Sequence, residues 1–397
     1  MSGNLTISRL AVFLLVLCSC QGPRVASEAA DRKPAADALS RDRLIAAARA
    51  GGDYLLRMQR QDGSFHYIYD PKEDRLDSHS YNIVRHAGVT FSLFELYRAT
   101  RDARYFDAAR RAVTYLKTRF RPAREPGAVY VLDNDGKAKL GANGLALLAL
   151  ARQMELDPQS ADHEGARRLT NLILAMQRKD GAFDSYYPVR GDEPKGSVSL
   201  YYPGEAILGL VSLFERSGDR RLLGAARRGA DYLVESQRKL EKLPPDAWLM
   251  QALEALHRIG RERRYAEHAI ALAERMMADQ YPDNAPAGYA GGFGPRMPRT
   301  TAAAARAEGM VAAYRIARSI GDPRAARIAN SLKAAARFQL TQQFDAGNSA
   351  SLPNPERAKG GFRASPASLR IRIDYVQHNI SALLGVAELY RESGAWK

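Results

Sequence analysis

Met58-Gln59-Arg60-Gln61-Asp62-Gly63-Ser64-Phe65 returns in the same chain as Met176-Gln177-Arg178-Lys179-Asp180-Gly181-Ala182-Phe183. Each copy closes a stretch with apolar residues at helical spacing, and each is followed by a loop. Weaker echoes are Gly291-Gly292-Phe293 after Gln280 and Gly360-Gly361-Phe362 after Gln343. A second punctuation falls between them: Arg101-Asp102, Gly218-Asp219, Gly260-Arg261 and Gly321-Asp322. Glycine there suits a helix C-cap and aspartate the next N-cap. The two signals alternate, so the chain reads as about six helical hairpins with tight turns at one end and long loops at the other.

This reading predicts outer helices over 41–59, 103–120, 162–178, 219–238, 261–280 and 322–343. The inner helices fall over 84–100, 141–154, 203–217, 246–259, 301–319 and 376–393. The inner set is apolar nearly all round, as in Gly141-Ala142-Asn143-Gly144-Leu145-Ala146-Leu147, and expects burial. The outer set carries arginine on one face, as in Ala108-Ala109-Arg110-Arg111. Hairpins with short turns place antiparallel neighbours side by side, so residues 41–397 are expected to close into an all-α double ring, an (α/α)6 toroid.

The pattern resembles the (α/α)6 toroids of the six-hairpin glycosidase superfamily, over roughly residues 41–393. That superfamily includes glycoside hydrolases, polysaccharide lyases and sugar epimerases, whose active sites lie on the long-loop face. The Gln-x-x-Asp-Gly-x-Phe repeat also resembles that of squalene cyclases and prenyltransferases. Prenyltransferases and lanthionine cyclases use cysteine zinc ligands, which the body lacks. Asp133-Asn134-Asp135-Gly136 lacks the last aspartate of a cyclase motif and reads as a turn.

Both cysteines, Cys18 and Cys20, lie at the amino terminus, leaving the body without a thiolate metal site or a cysteine nucleophile. No metal and no cofactor is expected. Leu10–Leu17 is an apolar run too short to span a bilayer and typical of a signal peptide. Leu17-Cys18-Ser19-Cys20 resembles the lipobox of bacterial lipoproteins, which implies lipidation at Cys20. Residues 1–20 are thus expected to be a signal, and 21–40, rich in Ala, Arg, Asp and Pro, a flexible tether. Gln21 is not the aspartate that signals inner-membrane retention. The expected location is the cell envelope, lipid-anchored on the periplasmic side of the outer membrane.

The net charge of +15 attracts anions. Export argues against nucleic acid. The expected partner is a polysaccharide or oligosaccharide, anionic ones included, with the membrane engaged through the lipid.

The starts of the inner helices face the long loops and are polar: Arg85-His86, Asn143, Tyr201-Tyr202 with Glu205, Asp246 with Trp248, Arg306 with Glu308, and Asp374-Tyr375 with Gln377-His378. Glycoside hydrolysis needs two carboxyls across the scissile bond. Glu205 and Asp374 are the first choice, followed by Glu308 and Asp246. His86 and His378 offer an acid/base pair for proton abstraction beside a carboxylate, which is the chemistry of uronate lyases and sugar epimerases. Arg85, Asn143, Tyr201, Tyr202, Trp248, Arg306, Tyr375 and Gln377 are expected to bind substrate. Loop tyrosines suit stacking on sugar rings, and Tyr outnumbers Trp by 19 to 2. Each choice has a bland reading: aspartate caps helices, and buried histidine is often only a hydrogen-bonder. The leading expectation is an exported glycoside hydrolase acting on an envelope or extracellular polysaccharide by carboxylate acid/base chemistry. The alternatives are a uronate polysaccharide lyase or sugar epimerase, and a non-catalytic polysaccharide-binding or export-associated toroid.

Overall fold

The computed structural model describes residues 39–189, 199–392 and Trp396. Cys18, Cys20 and the proposed signal and tether through residue 38 lie outside the described residues.

The helices are α1 (Arg41–Met58), α2 (Ile83–Thr100), α3 (Ala103–Lys117), α4 (Leu140–Leu156), α5 (His163–Ala175), α6 (Tyr202–Ser217) and α7 (Arg220–Arg238). They continue as α8 (Ala247–Gly260), α9 (Arg263–Met277), α10 (Thr300–Ser319), α11 (Arg324–Thr341), the single turns α12 (Ala346–Ser349) and α13 (Pro355–Ala358), and α14 (Ile373–Glu392). The inner helices α2, α4, α6, α8, α10 and α14 each pack on the next, and α14 packs back on α2. Each outer helix lies on the inner helix before it, and α1 lies on α14, so the first and last helices close the ring. This is the (α/α)6 toroid expected from the sequence. The layers differ as predicted: α4 is buried along nearly its whole length, whereas α7 buries one face and exposes Arg220 and Arg221.

The repeat that decides the fold is an interlock between outer helices. The side-chain amide of Gln59 donates to the Ala108 carbonyl on α3 at 2.8 Å, and Gln177 donates to Ala225 on α7 at 2.9 Å. Gln280 reaches Ser331 on α11 at 2.9 Å, and Gln343 reaches Ala47 on α1 at 2.8 Å, across the ring closure. Glycine is obligatory in the turn that follows. Gly360 has φ 81°, and a Cβ there would lie 2.0 Å from the Ala50 carbonyl oxygen. Gln237, at the end of α7, makes a variant of the same interlock, meeting His268 on α9 at 2.9 Å and donating to Asp246 at 3.2 Å.

The outer helices α5, α9 and α11 stop two or three residues short of the prediction, because the glutamine joins a bridge with a following phenylalanine, as in Gln177 with Phe183. The loops also hold strands that the helical periodicity did not reveal: β1 (Ile68–Asp70), β2 (Arg75–Asp77), β3 (Phe120–Pro122), β4 (Val129–Val131), β5 (Ala138–Lys139), β6 (Tyr186–Tyr187), β7 (Arg363–Ser365) and β8 (Ser368–Arg372). The antiparallel order β2-β1-β8-β7 ties the first long loop to the last. This sheet buries Tyr69, and Tyr67 beside it is buried too. Tyr187 is likewise buried, so these three pack the loops and present no stacking face. At the other end, α8 is capped by Arg261 at φ 57° and not by Gly260, which is the last helical residue.

Candidate functional site

The inner helices α6, α10 and α14 bring Glu205, Glu308, Asp374 and His378 into one electrostatic neighbourhood. His378 feels the charges of all three carboxyls, and Glu205 feels His378 and Asp246. At about 1.5 Å of rise per residue, Glu205 lies one turn below the start of α6 and Glu308 more than two turns below the start of α10. The site therefore has depth.

Nδ1 of His378 lies 2.8 Å from Oε1 of Glu308, and both side chains are nearly buried. Burial pulls the imidazole pKa down, but the charge and hydrogen bond of Glu308 outweigh it, so the net direction is up. Burial raises the Glu308 carboxyl as well. The pair therefore retains a proton between its members. Nε2 of His378 makes no hydrogen bond to a described residue, and Trp248 stands edge-on to the ring, with centroids 6.2 Å apart.

Glu205 is 4% exposed, and its Oε2 has no hydrogen-bond partner among the described residues. Burial is the main reason its pKa rises to about 8. Gly141 makes room for it: a Cβ at that position would sit 2.2 Å from Oε2 of Glu205 and 2.3 Å from Cδ1 of Tyr202. The run Gly141-Ala142-Asn143-Gly144 was legible as a helix start, but Gly141 itself was not singled out.

The other residues are held as follows. Asp374 is gripped by Arg372 at 2.6 and 2.9 Å and by Arg85 at 3.1 Å, and Arg372 lies over the Tyr375 ring. Arg85 also donates to the Tyr67 hydroxyl. Asp246 caps α8 through Leu249 N–H at 3.0 Å, and burial lifts its pKa to about 7. His86 is fully buried between the Tyr81 hydroxyl (2.7 Å) and the Ala112 carbonyl (2.9 Å), and burial lowers its pKa to about 4. Asn143 joins Val131 N–H to the Lys139 carbonyl. These bonds fit the bland readings of Asp246, His86 and Asn143: each is satisfied within the fold. Gln377 is buried beside His378, whereas Tyr201 is 43% exposed and Tyr202 partly buried. Arg306 stacks over Phe293 at 5.5 Å.

On the side towards the tight turns, Glu308 also lines a cavity of about 570 Å³. Its walls carry Glu95, Arg98, Arg152, Arg315 and Glu388, largely paired with one another. Glu95, which accepts from Ser381 at 2.7 Å, was missed by the sequence reading because it sits deep in an inner helix rather than at its start.

No family model matches the sequence, and no curated protein is similar enough to count as a relative. Solved structures are similar in fold. A cellobiose 2-epimerase from Bacillus thermoamylovorans B4167 superposes with a TM-score of 0.66 at 13% identity, covering 88% of this chain and 100% of that one. A D-mannose isomerase gives 0.63 at 16% identity, covering 90% and 100%. An inactive α-1,6-mannanase of Salegentibacter sp. HEL1_6, in complex with α-1,6-mannotriose, gives 0.62 at 12% identity, covering 87% and 99%. At such identities the likeness is one of architecture: the chain shares the (α/α)6 toroid with sugar epimerases, sugar isomerases and mannanases.

Proposed function

We propose that this chain is a carbohydrate-active enzyme that moves a proton at a sugar carbon next to the carbonyl, in the manner of an epimerase or isomerase. The observation that carries the reading is the His378–Glu308 pair, in which the imidazole Nε2 is unengaged among the described residues, beside Glu205, whose Oε2 has no partner among them. Glu308 fixes Nδ1 of His378 and thereby commits Nε2 to substrate. Nε2 takes the proton from the carbon next to the carbonyl. The electron pair of that C–H bond becomes the C=C bond of an enediol. The carbonyl oxygen takes the proton of Glu205, which a pKa near 8 keeps in place at neutral pH. If the enediol turns its other face to His378 before the imidazolium returns its proton to the same carbon, with the oxygen proton going back to Glu205, the product is the epimer. Delivery of the imidazolium proton to the neighbouring carbon, with the second enediol hydroxyl giving its proton to the Glu205 carboxylate, gives the ketose. The negative charge of Glu308 stabilises the imidazolium formed on the way. The fold neighbours that epimerise or isomerise sugars support the same class.

A glycoside hydrolase is the second reading. It is favoured by the coupled, buried carboxyls Glu205 and Asp246, whose pKa values are both raised, as a general acid requires. Asp374, the partner first expected for Glu205, is occupied by two arginines. We also propose lipidation at Cys20 and residence in the envelope, testable by incorporation of labelled palmitate and its loss in Cys20→Ser.

The deciding experiment incubates the protein with aldoses, β-linked disaccharides and mannan oligosaccharides and separates the products. An epimer or ketose formed by the wild type and not by His378→Gln supports the proposal. Shortened oligosaccharides that depend on Glu205 make it a hydrolase instead. Binding without turnover leaves a carbohydrate-binding toroid.

A further inference from the structure

We infer that the corner of the mouth beside Tyr201 is a subsite for a carboxylate carried by the sugar, with Arg306 as the group that receives it. This rests on the reading that the mouth binds carbohydrate, and it names the substrate class: acidic sugars of the uronate type.

Arg306 lies on α10, two turns from the helix start, half-buried with its guanidinium over the Phe293 ring at 5.5 Å. It makes no ion pair and no side-chain hydrogen bond to a described residue. The other arginines that inner helices turn into the ring behave differently. Arg98 meets Glu388 at 2.9 Å, Arg315 meets Glu388 at 2.7 Å, and Arg85 meets Asp374 at 3.1 Å. The acid whose field Arg306 feels most, Asp279, is already held by Arg275 at 2.8 Å. Lys242 acts on Asp279 as well, so Asp279 already has two other cations beside it. Burial opposes the charge on Arg306, which is the condition of a cation lacking its counter-ion.

Tyr201 connects this corner to the chemistry. Its hydroxyl feels Asp246, Arg306 and Glu205, and its ring is 43% exposed. A pyranose stacked on that ring would lie within the fields of both Glu205 and Arg306. A carboxylate presents two oxygens to a guanidinium in the geometry of a bidentate pair, which is stronger and more selective than a neutral contact.

The test is calorimetric titration of the whole protein with glucuronate, galacturonate, mannuronate, glucose 6-phosphate and the neutral parent hexoses. At least one uronate is expected to bind about tenfold or more tightly than its parent. Arg306→Gln is expected to remove that preference, Arg306→Lys to restore part of it, and Arg221→Gln, on the tight-turn side, to leave it intact. Unchanged thermal melting shows that the variants are folded. The inference is overturned if no uronate is preferred over its parent, if the preference survives Arg306→Gln, or if the phosphate is preferred over every uronate. The readout is binding, so an inactive His378→Gln or an absence of turnover leaves this comparison untouched.

Discussion

Replacing Glu205 by glutamine keeps the shape of the side chain and removes its titration. In the folded chain the Glu205 carboxyl is raised from 4.5 to about 8, chiefly by burial. The native state therefore holds a proton between about pH 4.5 and 8 that the unfolded chain releases, so stability falls as pH rises through that window. At about 1.4 kcal/mol per pH unit, the full effect approaches 5 kcal/mol, with water entry into the mouth reducing it. Glutamine carries no such dependence. The stability difference between Glu205→Gln and wild type is then expected to grow by about 2–5 kcal/mol from pH 5 to pH 9 in favour of the variant. Urea unfolding at pH 5, 7 and 9 measures it. His86 titrates independently of Glu205 and cancels in the difference, whereas Asp246 and His378 interact with Glu205, and that interaction is part of the difference measured. A difference that stays flat within about 1 kcal/mol across the range refutes the claim that Glu205 is buried and protonated at neutral pH.

The same groups set an activity profile: the base limb lies above the ordinary histidine value because Glu308 raises His378, and the alkaline limb lies near pH 8, where Glu205 loses its proton. Glu308→Gln is expected to move the lower limb to more acid pH and to reduce kcat, and unchanged limbs would show that the pair does not act as one unit. His378→Gln should lower kcat about a hundredfold or more, the usual share of a general base. Gly360→Ala adds a Cβ 2.0 Å from the Ala50 carbonyl at φ 81°, so it is expected to lower stability by about 3 kcal/mol or more in thermal unfolding. Arg261→Gly relieves a side chain from a left-handed cap at φ 57° and should raise stability by about 0.5–1 kcal/mol, read by the same melt.

The toroid was legible because its signals are local and repeated. A glutamine that must reach the neighbouring outer helix, followed by a glycine that alone fits against its carbonyl, recurs at Gln59, Gln177, Gln280 and Gln343. The helix starts were legible for the same reason, and with them the residues of the mouth. The pairing was not. That Asp374 would be gripped by Arg85 and Arg372 while Glu308 turned to His378 depends on distances between helices far apart in sequence. The burial of Tyr67, Tyr69 and Tyr187 depends on strand pairing between loops, which short irregular segments do not announce. His86 and His378 looked alike at their helix starts; a tyrosine hydroxyl and a carbonyl absorb one, and a carboxylate at one nitrogen leaves the other poised.

The most direct measurement of the central claim is deuterium exchange at the sugar carbon next to the carbonyl, followed by proton NMR in D2O with a panel of aldoses and their uronates. Exchange needs only the proton abstraction, even where no net product accumulates. The account predicts loss of the C2 proton signal with the wild type, slowed about a hundredfold or more in His378→Gln. Retention of the C2 proton with every sugar that binds, or exchange that persists undiminished in His378→Gln, would contradict it.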